Sequence, residues 1–149
     1  MHRMRRYKLF MTALLFFCFC TGGGMQASFV SAATGEGQGH YTEVYYFHGK
    51  ARCNSCEQIE KLTVEAIRSV FSKELENGDL KLAIVNVSDP ENQHFVKDYK
   101  LYSQSVVLSH MEDGRQIRWK NLIRVWELLN SEEKFKAYIS EEVIKFMKD

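Results

Sequence analysis

The chain has 149 residues, enough for one domain with a proper core, and its 20 basic and 19 acidic residues nearly cancel to a net charge of +1. The balance is uneven along the chain. Arg3, Arg5, Arg6 and Lys8 precede every acid, the first of which is Glu36; beyond residue 32 there remain 16 basic and 19 acidic residues, a net of −3. No long block of one sign remains there, which argues against a nucleic-acid partner.

In chain order, Leu9 to Cys20 is a 12-residue apolar run behind a basic segment, short for a membrane span. Gly22-Gly23-Gly24 follows, and Val30-Ser31-Ala32 supplies small residues at the −3 and −1 positions of a cleavage site. Residues 1–33 therefore read as a secretory signal peptide cut after Ala32 or Ala33, leaving an exported, periplasmic protein with no membrane span. The competing reading is an inner-membrane anchor formed by residues 9–20. Cys18 and Cys20 each follow a bulky Phe, so they read as apolar filler in this leader rather than lipidation sites. Residues 34–40 are Gly-rich and read as a flexible linker.

Tyr41 to Phe47 is aromatic and β-branched, the first strand. A short loop, His48-Gly49-Lys50-Ala51-Arg52, leads to Cys53-Asn54-Ser55-Cys56, and helical periodicity starts there: Ile59, Leu62, Ala66, Ile67, Val70 and Leu75 recur until Asn77-Gly78. Leu80 to Val87 is almost continuously apolar, the pattern of a central parallel strand covered on both faces. Asp89-Pro90-Glu91 reads as a cap, a Pro at N1 and a first-turn acid, opening a helix to about Tyr99 with Phe95, Val96 and Tyr99 inward. Ser105 to Ser109 is a third strand, and Asp113-Gly114 turns it into a fourth, Arg115 to Lys120. Asn121 can cap a turn carrying Leu122, Val125, Trp126 and Leu129, and Asn130-Ser131 restarts a helix with Phe135, Tyr138, Ile139, Val143 and Phe146 inward. Trp119 and Trp126 are expected in the core.

The order β-α-β-α-β-β-α, with a right-handed parallel crossover joined to an antiparallel hairpin, predicts an α/β domain over residues 41–149. Its sheet is central, mixed and four-stranded, with helices on both faces: a thioredoxin-like fold.

C-x-x-C at a strand–helix joint suits reversible disulfide chemistry. Residues three apart in a helical turn are surface neighbours, so Cys53 and Cys56 can bridge with little adjustment. Closing so short a loop restrains little chain entropy, which makes a purely structural staple a poor explanation. Cys53 falls at the helix N-terminus, where unpaired N–H groups and the dipole favour a thiolate, so it is the attacking sulfur and Cys56 the resolving one. Arg52 and His48 are candidates for tuning the thiols; Glu57 and Glu60 could relay protons near Cys56. The alternative is a Cu(I) or other soft-metal binding module using Cys53, Cys56 and His48, a set incomplete for structural zinc. His40, His94 and His110 have no ligand partners at meaningful spacing.

The strand, C-x-x-C and helix arrangement resembles the thioredoxin superfamily across nearly all of residues 41–149. A narrower set of motifs, Y-Y-F-H-G at 45–49, R-C-N-S-C at 52–56, Q-I-E at 58–60 and W-K-N-L at 119–122 with Trp126, resembles the bacterial family named nitrophenyl compound nitroreductase subunit ArsF. The resemblance implies a Cys53–Cys56 redox disulfide, a protein redox partner or reductase, and no cofactor beyond that disulfide. The typical Trp-Cys-Gly-Pro-Cys is here Arg52-Cys53-Asn54-Ser55-Cys56. The cis-proline facing the dithiol is absent, with Gln104 and Ser105 in its expected place and Pro90 the only proline. The buried acid of the first strand is also missing, and Tyr45 or Tyr46 falls near it. Nitro groups are normally reduced through flavin, and the sequence has no dinucleotide fingerprint, so this chain would pass electrons to a partner.

Overall fold

A computed structural model describes residues 39–149; the leader, Cys18, Cys20 and the linker up to residue 38 lie outside the described residues. The aromatic run forms β1 (His40–His48), and the helical periodicity beginning at the cysteines forms α1 (Asn54–Val70). The expected single helix is broken at Phe71, and a short α2 (Ser72–Asn77) continues to Gly78, whose φ of 85° ends it in the left-handed region that glycine tolerates. Phe71 is buried with φ −116° and ψ 34°, while Val70, expected inward, is 50% exposed. The larger ring takes the inward place, and the backbone leaves helical geometry to deliver it.

β2 (Leu80–Asn86) pairs parallel with β1, Thr42 opposite Leu80 through His48 opposite Asn86. Its place corrects the sequence reading. The order across the sheet is β2-β1-β3-β4, so β2 is an edge strand and Ile84 is 40% exposed. The strands with neighbours on both sides are β1 and β3 (Ser105–Glu112). β3 runs antiparallel to β1 and joins β4 (Arg115–Asn121) through Asp113 and Gly114, both at positive φ as the two-residue hairpin turn requires. This mixed order, with its parallel β1–β2 crossover and β3–β4 hairpin, is the thioredoxin-like fold.

The segment after β2 is a 3-10 turn, Pro90–Asn92, followed by a five-residue α3 (His94–Asp98). Asp89 does not cap with its side chain; its carboxylate accepts from Asn86 Nδ2, and its carbonyl accepts from Asn92 N. Phe95 and Tyr99 turn inward, but Val96 is exposed. Asn121 ends β4 instead of capping a helix, and Ile123–Trp126 is a 3-10 turn that leaves Trp126 38% exposed. Ser131 does cap α4 (Glu132–Lys148), accepting from Lys134 N.

Helices cover both faces. α1 and α4 bury Ile59, Leu62, Ile67, Phe135, Ile139 and Val143 against Val44, Tyr46, Val106 and Leu108. On the other face, Tyr45, Phe47, Tyr99, Leu101 and Val107 form a second cluster beneath α3, joined by the partly buried Phe95 and Trp119. No helix among the described residues is long and apolar enough to cross a membrane.

Candidate active site

The dithiol sits where β1 leaves the sheet. Cys53 is the N-cap of α1, in extended conformation (φ −103°, ψ 162°), and its Sγ accepts from Cys56 N at 3.2 Å. The two sulfurs are bonded at 2.09 Å, with Cα atoms 5.0 Å apart. They are unequal in access: Cys53 is exposed and Cys56 is 2% exposed. A nucleophile from solvent therefore reaches Cys53 first, and in the reduced form a thiolate on Cys53 meets the Cys56 N–H and the positive end of α1.

Beneath the disulfide, the fully buried Tyr46 donates its hydroxyl to Cys56 O at 2.6 Å, tying β1 to the first turn of α1. Burial pushes the Tyr46 phenol up to about 12, against the opposing pull of the Arg52 cation, so it remains a neutral donor at ordinary pH. Tyr45 points to the other face and donates to Glu43, so Tyr46 is the tyrosine that stands under the cysteines. The alternation along β1 put one of the two there; which one, and that its hydroxyl reaches a carbonyl of the C-x-x-C, needed the fold.

Arg52 is not a free cation beside Cys53. It is ion-paired to Glu60, and its Nη1 lies 3.5 Å from His48 Nε2. His48 Nδ1 bonds Gly49 O at 2.9 Å, which places the proton on Nδ1 and makes Nε2 the acceptor. Both imidazole nitrogens are thus engaged, so His48 would have to give up a partner to join the cysteines around a metal. Glu60, occupied by Arg52, is not a free proton relay; Glu57 stays exposed in the first turn.

Gln104 and Ser105 lie at the same end of the sheet, since Ser105 pairs with Phe47 just before the dithiol loop. Ser105 is buried and donates to Ser103 O at 2.9 Å. Gln104 O accepts from Trp126 Nε1 at 3.0 Å, so the tryptophan expected in the core instead braces the loop in the cis-proline's place. That loop opens with Lys100 at φ 51° and carries Tyr102, 97% exposed. It separates two cavities. One, of about 350 Å³, is lined by His48, Gly49, Val96, Tyr102 and Gln104; the other, of about 170 Å³, by Gln104, Ser105, Ile123 and Trp126. Trp119 meets Tyr99 edge-on in the aromatic cluster. His94 pairs with Asp98 on the surface, and His40 and His110 lie at the far end of the sheet from the cysteines.

No protein-family model matches the sequence, and no curated protein matches it. The motif likeness to the ArsF family therefore stands on those short motifs alone. Among solved structures, the chain is similar to a malarial protein (15% identity over 68% of this chain and 96% of that one, TM-score 0.41). It is similar to Fasciola hepatica thioredoxin (20% identity, 62% and 81%, TM-score 0.36) and to Malassezia sympodialis thioredoxin (14%, 69% and 76%, TM-score 0.40). At such scores the assignment of the fold rests on strand order and pairing, given above.

Proposed function

We propose that this chain is an exported thiol–disulfide oxidoreductase, or electron-transfer protein, that exchanges electrons with a protein partner through Cys53 and Cys56. The observation that carries this reading is the unequal access of two bonded sulfurs at a helix N-terminus. In the oxidised form, a partner thiolate attacks Cys53 Sγ, the Cys53–Cys56 bond breaks, and Cys56 leaves as a thiolate that takes up a proton. The partner's second thiolate then attacks the mixed disulfide and releases Cys53. Two electrons have moved to this chain, the partner carries a disulfide, and the protons lost by the partner's thiols and taken up by the released cysteines exchange through solvent. The reverse sequence reduces a partner, and the relative potentials decide which runs.

Cys56→Ser should accumulate a covalent complex through Cys53 with the partner, and Cys53→Ser should accumulate none; isolating the complex would also identify the partner. If Cys56 proved the faster thiol, or neither variant trapped a protein, the assignment of roles would be wrong. The redox system we favour is periplasmic, a reductase to which this chain passes electrons without holding flavin itself, in keeping with the ArsF-like motifs. Export predicts that the mature protein begins near Ala33 or Thr34. Mass spectrometry of the exported protein should show Cys18 and Cys20 gone, and an intact leader would reject this.

A further inference from the structure

Building on the thiol–disulfide reading above, we propose that Trp126 and Gln58 are positioning residues for the exchange reaction. Through them the segment from Leu122 to Leu129 holds the loop Tyr102–Gln104 in place, so that a partner's chain can settle against the loop as its sulfur reaches Cys53. The reactivity of the sulfurs themselves belongs to Cys53, Cys56 and the first turn of α1.

The segment is fastened to both sides of the site. At its start, the Leu122 N–H donates to Val106 O at 2.8 Å, in the strand that follows the loop. In the middle, Trp126 Nε1 donates to Gln104 O at 3.0 Å. At its end, Leu129 O accepts from Gln58 Nε2 at 3.2 Å, and Gln58 stands on α1 two residues past Cys56. One short stretch of chain therefore ties the loop to the helix that carries the dithiol. The loop in turn shares a cavity wall with His48 and Gly49, which lead into the cysteines.

The loop has little else to hold it. Pro90 is the only proline, so no ring fixes a backbone angle between Lys100 and Ser105. Lys100 lies at φ 51°, a region a lysine rarely adopts. Leu101 is buried and its N–H donates to Val96 O, but Tyr102 beyond it stands in solvent. Ser105 donates to Ser103 O from only two residues on. Among the described residues, the side-chain hydrogen bond that reaches residues 102–104 from elsewhere in the chain is that of Trp126. That bond sets where Gln104 stands, between the two cavities. A loop already held in place need not be ordered when a partner arrives, which lowers the cost of docking.

The test uses the full chain with Cys18, Cys20 and Cys56 replaced by serine, so that Cys53 is its one thiol. Two probes carry the same activated disulfide, a cysteine bonded through sulfur to nitrothiobenzoate. One is an unfolded peptide with apolar residues beside that cysteine, and the other is the cysteine alone. The Cys53 thiolate attacks the cysteine sulfur, the bond to nitrothiobenzoate breaks, and nitrothiobenzoate leaves as a coloured thiolate. Release from the peptide should saturate. Trp126→Phe keeps a ring, removes the N–H, and should raise the half-saturating concentration by about two- to tenfold with the limiting rate unchanged. The rate with the cysteine probe and its pH profile report the sulfur itself and should not move. Gln58→Met removes the donor to Leu129 O and should raise the peptide half-saturation too, even if the Trp126 variant fails to fold. No saturation by the peptide, an unchanged half-saturation in the variants that fold, or an equal change with both probes would overturn the proposal. A chain with Cys56 restored that could not release the peptide from Cys53 would instead sink the thiol–disulfide reading.

Discussion

The two faces of the sheet are built from different materials. The α1/α4 face is mostly aliphatic and sealed, with Ile59, Leu62, Ile67, Val106, Leu108 and Ile139 fully buried. The α3 face is aromatic and thinner: Tyr45, Phe47, Phe95 and Tyr99 have ring centroids 5.0–5.9 Å apart under a five-residue helix. The site draws on both. Cys56 and Tyr46 are anchored in the sealed face, while Val96 and the loop with Tyr102 and Gln104 leave the thin one. The dithiol's geometry and the surface a partner would meet therefore rest on separate packing, and either can be perturbed while the other stands.

The sharpest way to break this comparison is a truncation on each face. Leu62→Ala should cost about 2–5 kcal/mol in urea unfolding. Phe95→Ala removes a larger side chain, but one already part-exposed, and should cost less than the Leu62 variant. Equal costs would mean that the thin face carries as much of the stability.

A smaller effect is expected at the joint between the sealed face and the cysteines. Tyr46→Phe removes the bond to Cys56 O and should cost about 0.5–1.5 kcal/mol near neutral pH. Its pH dependence has a definite sign. Because the folded phenol is raised from 10 to about 12, the stability tied to keeping it neutral is complete below pH 10 and is lost as pH rises toward 12. Unfolding curves from pH 9 to 12 should fall less steeply for Tyr46→Phe than for the parent; parallel curves would reject the assignment.

The smallest effect is on the surface. Glu60→Gln breaks the Arg52 ion pair and should change stability by no more than about 1 kcal/mol. It should also free the Arg52 charge and speed alkylation of reduced Cys53. An unchanged rate would show that Arg52 does not act on that sulfur.

The sequence was most informative where one local signal suffices. The switch from strand to helical periodicity at Cys53, Gly78 after α2, and Asp113-Gly114 in the hairpin are each set by a few neighbouring residues. What could not be read depends on remote partners. Leu80 to Val87 has the composition of a central strand, yet the place of β2 is fixed by β1 taking β3 as its other neighbour. Trp126 looks like core in a helical pattern, but its indole N–H goes to Gln104 O, 22 residues earlier. His40 and His110 have no relation in sequence and become neighbours only through the β1–β3 register.

The break at Phe71 divides what would have been one cooperative element into two. α1 is locked by its buried face, whereas α2 is six residues long, has no buried residue and lacks a side-chain cap. Its hydrogen bonds can open without disturbing Ile59 or Leu62. Backbone amides of α2 should exchange with deuterated water through local opening, insensitive to added denaturant, while those in the middle of α1 exchange only when the whole domain unfolds. A buried aromatic ring, by interrupting a helix, gives the domain a segment that opens on its own at the far end of the helix that carries the dithiol.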